Sequence, residues 1–180
     1  MSHLTGKKIA ILATNGFEQS ELAKPKQALE AAGALVHIIS PEENKIKGWK
    51  GELHNWGDEF TVDVHLDKAD AASYDMLLLP GGVINPDILR MNAQAVEFVK
   101  EFAKKPIAAI CHGPWTLINA ELVKGKTMTS WPSVKIDLIN AGAFWVDQEV
   151  VVDDLLITSR SPEDIPAFNE AIMEMLAPVN

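Results

Sequence analysis

Lys105-Pro106-Ile107-Ala108-Ala109-Ile110-Cys111-His112-Gly113-Pro114-Trp115 joins an apolar run to the single cysteine of the chain. Ile107 to Ile110 has the length and character of a buried strand. It stops at Cys111, a histidine follows, and Gly113-Pro114 leads into an amphipathic pattern from Trp115 to Leu122. The order predicts strand, sharp turn and helix with the thiol at the turn, the arrangement of a nucleophile elbow with cysteine in place of serine. Ala109 and Gly113 leave room for the tight turn, and Pro114 suits a first helical turn, where its missing N–H costs nothing. The N-terminus of that helix would favour a thiolate. The competing reading is an inert structural cysteine buried at a strand end.

The chain has 180 residues, enough for a sizeable core, and residues 1–180 are read as one domain. Hydrophobic residues make up 47% and charged residues 23%, which places the chain among ordinary globular proteins rather than disordered or membrane-spanning ones. A lone cysteine excludes an intrachain disulfide and suits a reducing compartment. No apolar run approaches the length of a membrane span, and the N-terminal segment lacks the apolar core of a signal peptide. The cytoplasm is the expected location. Net charge is −9, and basic residues occur only in short pairs such as Lys7-Lys8 and Lys104-Lys105. A non-specific grip on nucleic acid needs a basic face, and none is visible. No cofactor or metal is expected.

Working outward, Lys8 to Ala13, Ala34 to Ile39, Tyr74 to Leu79 and Leu155 to Thr158 are further buried-strand candidates. Helical spacing runs from Phe17 to Ala32 with Leu22, Ala28, Leu29 and Ala32 inward and Gly33 as the stop. Asn85-Pro86-Asp87 reads as a loop, and Asn92 as the cap of a helix reaching about Lys104. Ser133 to Asn140 and the segment from Ser161-Pro162 to Leu176 complete the helices. Ala143–Val146 and Val150–Val152 read as a hairpin. Residues 42–73 break the rhythm: Gly48, Gly51 and Gly57 separate short pieces carrying Trp49 and Trp56, which suggests one or two hairpins. The tryptophans either form an interface or cover the edge of their own sheet. Alternating strands and helices predict a single α/β domain of flavodoxin type, doubly wound, with a mostly parallel sheet and helices on both faces.

In such a sheet, ligands bind outside the carboxyl ends of the strands. Glu18 follows strand one, Gly81, Gly82 and Asp87 follow the strand ending at Leu79, and Cys111 and His112 follow the strand ending at Ile110. All fall on one edge, where Glu18, Gly82 and Cys111 can converge. Gly81-Gly82 and the N–H of His112 are candidate oxyanion donors. His112, beside the thiol, is the candidate base. Each has a plainer reading: Glu18 as an acid in a helix first turn, Gly81-Gly82 as a tight turn, Asp87 as an acid at a helix start.

Ala109-Ile-Cys-His-Gly-Pro114, with Leu79-Pro-Gly-Gly82 upstream and Gly16-Phe-Glu-x-x-Glu-Leu22 near the start, resembles the PfpI family of intracellular proteases, general stress proteins and protein deglycases, within the class I glutamine amidotransferase-like superfamily. The likeness extends through Thr129–Pro132, Asn140–Gly142, Trp145–Asp147 and Glu149–Asp153. It implies that Cys111 is the nucleophile, that an acid matching Glu18 hydrogen-bonds its sulfur, and that His112 is the base. It also implies that an acid at the position of Asp87, glutamate in the archaeal protease-like members, orients His112 from a neighbouring subunit, in a homo-oligomer that is a dimer or a hexamer. A glutamate beside a thiolate raises the thiol pKa if both are charged, so Glu18 would be protonated when Cys111 is ionised. Two classes of function follow. One is an enzyme acting on a small-molecule carbonyl, a glycated adduct, or a protein or peptide amide. The other is a redox sensor or holdase that uses Cys111 oxidation.

Overall fold

A computed structural model describes residues 4–177. The N-terminal reading of Met1 to His3 lies outside them. The elements, in chain order, are β1 (Lys8–Leu12), β2 (Phe17–Glu18), α1 (Gln19–Ala31), β3 (Leu35–Ser40), β4 (Lys45–Lys50), β5 (Asn55–Thr61), β6 (Val64–His65), β7 (Met76–Leu79), α2 (Ile84–Met91), α3 (Ala93–Lys100), β8 (Ile107–Ile110), α4 (Pro114–Asn119), β9 (Thr127–Met128), α5 (Lys135–Asn140), β10 (Phe144–Trp145), β11 (Val150–Asp153), β12 (Leu156–Ser159) and α6 (Ile165–Leu176).

Among the described residues, seven strands form one sheet in the order β11-β12-β8-β7-β1-β3-β6. Every neighbouring pair is parallel except β11 with β12. The central strands are fully buried: β1 from Ile9 onward, and all of β7, β8 and β12. Their side chains alternate between two cores. Ala10, Leu12, Leu77, Leu79, Ile107 and Ala109 face one. Ile9, Ile11, Met76, Leu78, Ala108 and Ile110 face the other, with Phe168 and Ile172 of α6. Continuous apolar strands are what a sheet covered on both faces requires, so the flavodoxin-like reading holds. Strands β1, β7 and β8 are adjacent, and that adjacency brings their carboxyl ends together.

Three local expectations are corrected. Asn85-Pro86-Asp87 lies inside α2, because Pro86 falls in the first turn, where no N–H is needed. The segment 143–152 is not a hairpin: β10 pairs parallel with β9 in a small separate sheet, and β11 pairs antiparallel with β12. The helix expected from Asn92 to about Lys104 ends earlier, α3 closing at Lys100. The expected Asn92 cap is present, with its side chain accepting from the N–H groups of Gln94 and Ala95. The 42–73 segment contains one long hairpin, β4–β5, joined to β2 in a three-stranded sheet at the edge of the domain.

Candidate active site

Cys111 sits immediately after β8 with φ +62°, a left-handed conformation rare for a non-glycine residue. The backbone is locked on both sides: Cys111 N–H donates to Ser159 O at 3.0 Å, and Cys111 O accepts from Trp131 N–H at 3.0 Å. Such strain at a strand-to-helix turn is the mark of a nucleophile elbow. The thiol is buried, with 6% of the residue exposed. The following helix, α4, has only six residues, so its dipole is short. Burial is the larger influence, and it pushes the Cys111 thiol up, with the charge of Glu21 as the second cause. Burial therefore works against the thiolate that a helix N-terminus favours.

Glu18 does not take the place beside the sulfur. Its Oε2 accepts Gly51 N–H at 3.0 Å and its Oε1 accepts Ser20 Oγ–H at 3.2 Å, so its side chain turns to the β4–β5 hairpin. The acid at the thiol is Glu21, three residues on and one helical turn inward. It is fully buried, and burial pushes its carboxyl up to about 8, with the charge of Glu18 adding to the rise. Oε2 of Glu21 accepts Gly81 N–H at 2.7 Å, while Oε1 has no acceptor role in the structure. An oxygen without a donor suits the protonated end of the carboxyl, free to donate toward sulfur. The signal for Glu21 was present in the sequence: Glu21, Leu22, Pro25 and Leu29 form the buried stripe of α1. An acid at spacings of four and eight from two core residues has to be buried and neutral.

Gly81 and Gly82 both lie at the site with different tasks. The N–H of Gly81 is committed to Glu21, and a Cβ on Gly81 would stand 2.5 Å from Glu21 Oε2 and 2.7 Å from Cys111 Cβ. The N–H groups of Gly82 and His112 reach the sulfur and favour its anion. His112 is buried beside the thiol, with Nδ1 3.2 Å from Sγ. Its ring lies between Trp115, edge-on at 4.9 Å, and Trp131, stacked at 5.9 Å. Burial pushes its pKa down to about 4, so the imidazole is neutral at physiological pH. Its other nitrogen, Nε2, is 3.4 Å from Ser133 Oγ. Asp87 is exposed on α2, and among the described residues no hydrogen bond or ion pair joins its side chain to His112.

The site opens into a cavity of about 870 Å3 whose floor includes Glu21, Gly82, Cys111 and His112 and whose walls include Trp49, Leu53, Ile84 and Trp131. Trp49 and Trp56 meet edge to face across the hairpin, with centroids 5.5 Å apart. Trp49 thus serves the cavity, and Trp56 remains half-exposed behind it. No helix among the described residues is long and apolar enough to cross a membrane.

The chain resembles known proteins over nearly its whole length. The chain is 45% identical over 175 residues to general stress protein 18 of Bacillus subtilis, covering 95% of this chain and 98% of that one. It is 44% identical over 174 residues to protein/nucleic acid deglycase 2 of Escherichia coli, covering 94% and 98%. Among solved structures, Drosophila melanogaster DJ-1beta superposes with a TM-score of 0.84 at 28% identity, over 98% of this chain and 91% of that one. The model of the DJ-1/PfpI family matches residues 7–175, and the chain belongs to that family.

Proposed function

We propose that this protein is a stress-response, cysteine-dependent enzyme acting on reactive carbonyls or glycated adducts, in the cytoplasm. The carrying observation is Cys111, strained at the elbow, with Sγ 3.2 Å from Nδ1 of a neutral His112. Sγ attacks an electrophilic carbonyl carbon while its proton passes to His112 Nδ1. The carbonyl π pair moves onto oxygen, toward the N–H groups of Gly82 and His112. With an aldehyde the proton then returns from Nδ1 to that oxygen, giving a hemithioacetal. Where the carbonyl carries an amine, C=O re-forms as the C–N bond breaks, the amine leaves with the proton, and water then cleaves the thioester to release the acid and restore the thiol. Glu21 keeps its proton and donates to sulfur, so no second negative charge builds up in the buried site. The deglycase and stress-protein relatives support the class.

The test is turnover on a panel of methylglyoxal, glycated amino acids and unfolded casein, with Cys111→Ser and His112→Ala alongside. Both variants should lose turnover of the preferred substrate. A redox sensor would lose its oxidation response in Cys111→Ser and keep it in His112→Ala, and no member of the panel would be consumed.

A second part of the reading concerns assembly. The outer face of α2 and the residue before it expose Val83 (55%), Ile88 (40%) and Met91 (77%), with Asp87 among them. An apolar row beside the cavity supports a homo-oligomer formed through this edge, in which Asp87 of one subunit approaches the site of another.

A further inference from the structure

Glu18 is half-buried at the cavity yet does not face the thiol. The wall it touches is the turn of the β4–β5 hairpin, where Gly51–Leu53 has no buried residue and Leu53 is 71% exposed. That turn has no core beneath it. Its position depends on grips from the start of α1. Glu18 Oε2 takes Gly51 N–H, and Gln19 exchanges two hydrogen bonds with Asp58, both at 2.7 Å. Two hairpin glycines make the close approach possible. A Cβ on Gly51 would lie 2.7 Å from Glu18 Oε2, and one on Gly57 would overlap Gln19 Oε1. The hairpin backbone is shaped to receive these two side chains.

We propose that Glu18 is a positioning residue for the cavity wall: by gripping Gly51 it holds Trp49 and Leu53 in place, fitting the site to electrophiles that carry an apolar or aromatic group beside the reacting carbon. This rests on Cys111 being the nucleophile. A cavity of about 870 Å3 falls in the range that takes drug-sized ligands, roughly 300–1,000 Å3, and a three-carbon dicarbonyl leaves most of it unfilled. Trp49, Leu53, Ile84 and Trp131 line the remainder, and their surface gains from an apolar substituent.

The lone cysteine allows a clean test with N-phenylmaleimide and N-methylmaleimide, which differ only in the ring. The ratio of the two alkylation rates cancels changes in thiol ionisation. Relative to a small free thiol, the protein should prefer the phenyl reagent by about tenfold, the gain expected from seating one ring on an apolar wall. Glu18→Ala and Gly51→Ala should each remove most of that preference. Glu18→Gln should keep it, because its amide oxygen still accepts Gly51 N–H. A preference no larger than that of the free thiol, one that survives Glu18→Ala and Gly51→Ala, or one lost equally in Glu18→Gln, overturns the proposal while Cys111 remains the nucleophile. A Cys111 that takes up neither reagent by intact mass overturns the nucleophile reading and this proposal with it.

Discussion

Glu21, His112 and Cys111 are all buried, and burial penalises the charged form of each. Burial thus opposes a charge on each of the three, raising the Glu21 carboxyl and the Cys111 thiol and lowering the His112 imidazole. Two limits on pH follow. His112 accepts the thiol proton only while neutral, so activity falls as pH drops through about 4. In the proposed mechanism Glu21 donates to sulfur only while protonated, so activity should fall as pH rises through about 8. kcat/KM should trace a bell between these limits, whose apparent values belong to the coupled set. Glu21→Gln keeps a neutral donor, so it should retain the acid limb and lose the alkaline one; an unaltered alkaline limb would remove Glu21 from this role. Stability carries the same signature. The folded pKa of Glu21 is raised, so its contribution is fully present below the usual glutamate value, about 4.3, and is lost as pH rises through about 8. His112 runs the other way, fully contributing above about 6.5 and losing its contribution as pH falls through about 4. Thermal unfolding should accordingly show Glu21→Gln gaining on the parent between pH 5 and pH 8.

The element that places the oxyanion donor is the turn between β7 and α2. Asn85, fully buried in the first turn of α2, holds it from below: Nδ2 donates to Pro80 O at 3.0 Å and Gly81 O at 3.3 Å, and Oδ1 accepts Thr14 N–H at 2.8 Å. One amide therefore ties the end of β1 to the glycine turn that carries the N–H of Gly82. Asn85→Ala leaves the Thr14 N–H and the Pro80 carbonyl buried without this partner, a loss of about 2–4 kcal/mol in denaturant unfolding. It should also slow alkylation of Cys111, since Gly82 would drift from the sulfur. Gly81→Ala tests the neighbouring position: its Cβ would collide with Glu21 and with Cys111. That variant should lose thiol reactivity even where circular dichroism shows the fold intact.

For the whole molecule, the proposed assembly bears on His112 Nε2. Within the chain that nitrogen faces Ser133 Oγ at 3.4 Å, a long contact, and Asp87 stands on the exposed face of α2 beside Met91. Light scattering should give a mass of two or more chains. Asp87→Ala should lower turnover while alkylation of Cys111 stays fast, because the Cys111–Glu21 pair lies in one chain. Mixing Cys111→Ala with Asp87→Ala under subunit exchange should restore part of the activity, since a mixed dimer holds one complete site. A monomer, or a mixture that stays inactive after exchange, rules out an acid supplied in trans.

The amino-acid sequence by itself determined the elbow and the sheet. Ile107–Ile110 running into Cys111-His112-Gly113-Pro114 has one economical backbone solution, and four apolar runs alternating with amphipathic segments call for a parallel sheet covered on both faces. Local chemistry was equally legible at Asn92, whose cap depends only on its own next three residues. What the tertiary structure decided was direction and depth. Glu18 and Glu21 share one helix start, and whether an acid faces thiol or hairpin depends on the rotation of α1 against the sheet and on a turn at Gly51 thirty-three residues away. The burial that opposes a charge on Cys111 is likewise a property of the packed chain rather than of its own short helix. The pairing of β10 with β9, in place of a hairpin with β11, was settled by a non-local contact that two-residue strands cannot announce. Periodicity records which face a residue occupies within its own element; the partner across that face is a property of the packed chain.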